Sequence, residues 1–130
     1  MSPIKSRKEI VFLIVEPAET ALSTRKLLVE SEGFNAVSAI SATQALSFFE
    51  RYDFSAVIYD LEANDVPAAE FLQRIRNTSP DTPVFAVAPN GWVPEGLRSD
   101  FSGIFERMTD PAQMVGELVI RFGQAAQSAA

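Results

Sequence analysis

At 130 residues the chain makes one domain, long enough to bury about two-thirds of its unfolded surface in a single core. It has no Cys and no His, which excludes disulfide frameworks, thiolate and imidazole chemistry, phosphohistidine and His-ligated metals, and with them the Ser-His-Asp and Cys-His enzymes. A net charge of -6 argues against direct binding of nucleic acid, because phosphate contacts need a basic patch.

Residues 1–8, with Lys5, Arg7 and Lys8, read as a flexible N-terminus ahead of a domain spanning 9–122. The apolar run that follows, residues 10–15, is too short for a signal segment or a membrane span, so a cytoplasmic protein without membrane contact is expected. That run does not alternate, which marks a strand buried on both faces, and it stops at Glu16-Pro17. Pro17 suits the first turn of a helix over residues 18–31, with Ala18, Ala21, Leu22, Arg25 and Leu28 at helical spacing and Gly33 as its stop. Residues 34–40 alternate in part, as an edge strand does. Ser41 is placed to cap a second helix, with Gln44 at the capping-box position and Ala42, Ala45, Leu46 and Phe49 on one face.

Residues 54–60 form the central strand, an apolar run that ends abruptly in the carboxylate of Asp60. After a polar loop over 61–66, Pro67 opens a third helix with Phe71, Leu72 and Ile75 inward, ending before the turn cluster 77–82. Residues 83–88 make a fourth strand, broken by Pro89-Asn90-Gly91. Residues 92–102, interrupted by Pro94, leave room for a short helix at most. A brief strand over 103–106 precedes a last helix capped by Asp110-Pro111, with Met114, Val115, Leu118 and Phe122 inward, and residues 123–130 read as a flexible tail.

Strands alternating five times with helices call for an α/β fold: a flavodoxin-like, doubly wound, five-stranded parallel sheet with helices on both faces. Without a second mononucleotide-binding half the favoured strand order is 2-1-3-4-5. The first and third strands are then neighbours at the topological switch point, and Glu16 and Asp60 face each other at the sheet's carboxyl edge. Taken singly, each acid has a plainer reading as a strand terminator or turn former. Taken together they repel unless a cation lies between them, and Mg²⁺, held by one or two carboxylates plus waters and phosphate oxygens, suits an open rim. A carboxylate so placed is a known kind of phosphoryl acceptor.

The run Val57-Ile58-Tyr59-Asp60 resembles the phosphoacceptor strand of receiver domains of the two-component response-regulator family. Residues 68–76 are similar to the helix that follows it there, and Val15-Glu16 sits where the family has metal-binding acids; the resemblance runs from Ile10 to about Phe122. It implies Asp60 as phosphoacceptor, a Mg²⁺ ion held by Glu16, Asp60 and the backbone carbonyl of Glu62, and Arg107 in the place of the lysine that contacts the phosphoryl group. A histidine kinase or phosphotransfer protein, a downstream protein target and a homodimer are the implied partners. Several positions depart from the family pattern. Pro17 replaces a second acid, Ala88 a hydroxyl residue, Arg107-Met108 a Lys-Pro pair, and Asn64 and Ala68 the usual Pro and Gly; the stretch from Ala88 to Arg107 is short.

Two functions follow. One is a stand-alone receiver phosphorylated on Asp60 with Mg²⁺, signalling by protein docking. The other is a degenerate receiver acting as a phosphorylation-independent adaptor, with Trp92, beside Val93 and Pro94, as an apolar anchor. A hydrolase using Asp60 and Glu62 lacks the phosphate-binding and lid elements it would need, and there is no Gly-rich phosphate loop.

Overall fold

The computed structural model describes residues 6–127. Five strands, β1 Val11–Val15, β2 Asn35–Ala39, β3 Ala56–Asp60, β4 Val84–Ala88 and β5 Gly103–Glu106, alternate with α1 Glu19–Ser31, α2 Ala42–Arg51, α3 Ala68–Thr78 and, after β5, α4 Pro111–Gln127. All four strand pairings are parallel and the order is β2-β1-β3-β4-β5, as the sequence pattern predicts. Every residue of β3 and β4 is buried, because helices cover both faces of the sheet; this is why these strands show no alternation. β2, at the edge, is half-exposed.

The pleat divides the core in two. Leu13, Val15, Val57, Tyr59 and Ala86 face α2 and α3, packing on Leu46, Phe49, Phe71 and Ile75. Phe12, Ile14, Ala56, Ile58, Phe85 and Val87 face α1 and α4, packing on Leu22, Val29, Met114 and Leu118. Successive side chains point to opposite faces, so Glu16 follows Phe12 and Ile14, and Asp60 follows Ala56 and Ile58, onto the α1 and α4 side.

Helix ends are capped largely as predicted. The Ser41 hydroxyl accepts the Gln44 N–H at 3.0 Å, while Gln44 Oε1 takes the N–H of Ile40, not that of Ser41. Gly33 stops α1 at φ 91°, and Asp110 accepts the Ala112 N–H at 3.0 Å.

Four boundaries differ from the sequence reading. Pro17 lies outside α1, whose N-cap is Ala18. α3 continues to Thr78, where the Thr78 hydroxyl donates back to the Arg74 carbonyl at 3.1 Å. α4 continues through Gly123 to Gln127 where a tail was expected; Gln124, Ala125 and Ala126 are good helix formers, and a Cβ at Gly123 would meet Arg7 Nη2 at 2.9 Å, so the helix passes close beneath the N-terminal turn. That turn, Arg7–Glu9, begins inside the terminus expected to be flexible over residues 1–8, and Arg7 anchors it by donating to the Glu32 carbonyl at 2.8 Å. Residues 1–5 and 128–130 of the two expected flexible ends lie outside the described residues.

Between β4 and β5 the described chain has no α-helix, only 3-10 turns at Pro89–Gly91 and Glu95–Asp100. Val93 and Phe101 tuck into the core from this segment, and Trp92 is 68% exposed. No described helix is long and apolar enough to cross a membrane.

Candidate functional site

β3 delivers Asp60 and β1 delivers Glu16 to the carboxyl edge of the sheet, one step beyond the paired residues Val15 and Tyr59. The Glu16 N–H donates to the Ala39 carbonyl at 3.0 Å, which extends the β1–β2 ladder and fixes the acid's direction. Both carboxylates are fully buried. Burial of ionised groups is costly unless they are paired, and here two guanidinium groups pair them.

Arg25 reaches in from α1. Its Nη1 lies 3.4 Å from Glu16 Oε1 and 3.4 Å from Asp60 Oδ2, and its side chain is nearly fully buried. Arg107 reaches in from the loop after β5, held there because its N–H donates to the Ala88 carbonyl at 2.9 Å. Its Nη1 lies 3.1 Å from Asp60 Oδ1 and 2.7 Å from Glu62 Oε2, and its Nη2 lies 3.3 Å from Glu16 Oε1. The Glu62 N–H donates to Asp60 Oδ1 at 2.9 Å. Glu16 Oε2 is buried without a hydrogen-bond partner.

The electrostatics follow from this packing. Burial raises the Glu16 carboxyl above its ordinary range, the neighbouring charge of Asp60 raises it further, and Arg25 and Arg107 only partly oppose them. Tyr59, next to the acid, is pushed up to about 12, first by burial and then by Asp65 and Asp60. Its hydroxyl donates to the Ala63 carbonyl at 3.3 Å and its ring stacks on Phe71 at 4.2 Å, which stiffens the start of the loop carrying Glu62. Beside the acids opens a cleft of about 230 Å³, lined among others by Ala21, Arg25, Val87, Arg107 and Met114.

The structure brings Glu16, Asp60, Glu62 and Arg107 together at the carboxyl edge of the sheet, though the Glu62 contacts are not those of the backbone carbonyl that the resemblance implies. Glu62 enters through its side chain and its N–H. Sequence reasoning placed Arg25 on the inward stripe of α1 and gave it no role. The missed signal was physical: between the buried Leu22 and Val29, an inward Arg demands an acid opposite it.

Known proteins share this arrangement of strands. A response regulator receiver domain (CheY-like) from Methanospirillum hungatei JF-1 superposes with a TM-score of 0.77 at 18% identity, covering 92% of this chain and 98% of that one. One from Methylobacillus flagellatus superposes with a TM-score of 0.72 at 26% identity, covering 84% and 95%. The chain has the fold of response-regulator receiver domains. Among curated relatives, the receiver fold aligns at 26% identity over 106 residues with the transcriptional regulatory protein GlrR of Escherichia coli (strain K12), covering 82% of this chain and 24% of that protein. It aligns at 22% identity over 99 residues with the cell cycle transcriptional regulator CtrA of Caulobacter vibrioides, covering 76% and 43%. The chain thus spans less than half the length of these relatives. No family model matches it.

Proposed function

We propose that this receiver domain takes a phosphoryl group on Asp60 from a histidine kinase or phosphotransfer protein in the cytoplasm and signals by docking to another protein, as a signalling module and not an enzyme. The observation that carries this reading is the placement of Asp60: an acid ending the central strand at the switch point, with the cation of Arg107 and the N–H of Glu62 both on its Oδ1. In the transfer, a carboxylate oxygen of Asp60 bonds to phosphorus as the phosphorus–nitrogen bond of the donor's phosphohistidine breaks, and the electron pair stays on the imidazole. Arg107, once turned from the carboxylate to a phosphoryl oxygen, keeps a charge-assisted contact through the step. Arg107 is the member free to turn, since it sits on a loop with its side chain 21% exposed.

Mg²⁺, which the resemblance implies, does not fit the residues as they stand. Pro17 supplies no side-chain oxygen beside Glu16, and Glu16 Oε1 and both Asp60 oxygens already face guanidinium nitrogens. Of the four oxygens of the two acids only Glu16 Oε2 has no partner, so an ion would have to displace guanidinium nitrogens to reach Asp60.

A second reading, the phosphorylation-independent adaptor, is favoured by one feature: Asp60 is fully buried with both oxygens paired, and the neighbouring β4 ends in Ala88, which has no hydroxyl to hold a phosphoryl oxygen. Intact mass after incubation with acetyl phosphate, and separately with a phosphorylated phosphotransfer protein, decides between the two. A phosphoryl adduct on the native chain and none on Asp60→Asn supports acceptance. No adduct from either donor supports the adaptor.

A further inference from the structure

We propose that the guanidinium of Arg25, seconded by Arg107, is the built-in cation of this acidic pair, occupying by side chain the position a divalent ion would take, so that the domain does not take up Mg²⁺. The inference concerns cation binding alone and stands whether or not Asp60 accepts a phosphoryl group.

Three observations carry it. First, Arg25 bridges the pair. One nitrogen is 3.4 Å from an oxygen of each acid, the position from which a bridging cation neutralises both. Second, Arg25 has no other place to go. It stands at an inward position of α1 between Leu22 and Val29, only 5% exposed, so withdrawing it would strand a charge among apolar side chains. Third, the charge is already nearly balanced. Glu16, Asp60 and Glu62 bring three negative charges and Arg25 and Arg107 two positive ones, a sum of −1. A divalent ion would turn that sum to +1 within a few ångströms of two guanidinium groups, where burial leaves the repulsion poorly screened. Among the described residues no group of three or more acids is arranged to hold a metal.

The choice of residue also fits the site. A guanidinium is charged at all relevant pH values and offers several N–H donors in one plane, so it can serve two carboxylates together without the water shell that Mg²⁺ keeps. The cost of removing those waters from a closed site is thereby avoided.

Mn²⁺ binding, followed by loss of the free-ion electron paramagnetic resonance signal and checked by Mg²⁺ competition, tests the proposal on the wild type and on Arg25→Gln. The wild type is expected to leave Mn²⁺ free at millimolar concentration. The folded Arg25→Gln protein is expected to bind Mn²⁺ at least ~10-fold more tightly, and Asp60→Asn in that background to lose the gain. Saturable, Mg²⁺-displaceable binding to the wild type that Asp60→Asn abolishes would overturn the proposal, and so would a folded Arg25→Gln with no gain. If Arg25→Gln does not fold, the wild-type measurement decides alone, and Arg107→Gln, a change in a partly exposed loop residue, tests for the same gain.

Discussion

Arg25 and Glu16 show how single residues set the energetics of this site. Truncating Arg25 removes one partner of a buried ionic cluster and leaves Glu16 and Asp60 without a cation on the α1 side. Arg25→Ala should therefore lose about 3–5 kcal/mol in urea unfolding. Arg107→Ala should lose less, because its side chain lies at the rim and water can replace part of what it supplies. Glu16 sets a pH dependence. Its folded-state carboxyl is raised above the ordinary value of 4.5, so between 4.5 and that raised value the native protein holds a proton there that the unfolded chain has released, and above it the native acid is ionised. The stability from this residue is whole below 4.5 and is lost as pH rises through the raised native value. The Glu16→Gln variant, neutral throughout, should gain on the wild type as pH rises from acid to neutral in urea melts. A gap that does not change with pH would show that Glu16 titrates alike in the native and unfolded states, with no raised native value.

At the scale of the element, α2 is held by a cap from far along the chain. The Asp65 carboxylate accepts the N–H groups of Ala42 and Thr43 at 2.9 Å each and the Thr43 hydroxyl at 2.7 Å, tying the loop after β3 to the first turn of α2. The hydrogen bond from the Thr43 side chain, with those from the two N–H groups, holds Asp65 below its ordinary value, so this contribution is full above 3.8 and fades as pH falls through the lowered native value. Asp65→Ala should cost about 1 kcal/mol near neutral pH and progressively less in acid, read by thermal unfolding monitored by circular dichroism. The sequence could not show this cap, which joins residues more than twenty positions apart, whereas the local Ser41 cap was legible. The same distinction explains the site. Glu16 and Asp60 were legible because each ends a non-alternating strand, and the strand order brings such ends together. The role of Arg25 was not, because spacing puts it on the inward stripe of α1 but cannot name its partner until the opposite wall is known to carry acids.

Across the whole molecule, the two-sided burial that made β1, β3 and β4 readable also determines where substitutions hurt. The α1 and α4 side is an aromatic layer: Phe85 lies 6.2 Å from the rings of Phe105 and Phe122, and Arg121 sits 5.2 Å over its ring. Phe85→Ala should cost about 3–5 kcal/mol through lost burial and the cavity left behind. Against a total stability of about 5–15 kcal/mol, that loss lowers the midpoint of one cooperative transition in denaturant for both sheet faces together. The segment between β4 and β5 behaves in the opposite way. It resisted sequence reading because its turns depend on Asn90 and Gly91 at positive φ and on Val93 and Phe101 docking inward, none of which is periodic. Its large outward side chain, Trp92, is 68% exposed, so Trp92→Ala should move stability by no more than about 0.5 kcal/mol. That neutrality is what makes Trp92 usable as a probe. A fall in signalling output from Trp92→Ala at unchanged stability would assign the loss to a docking surface here, and a fall in stability matching that of Phe85→Ala would show that the indole is packed in the native state.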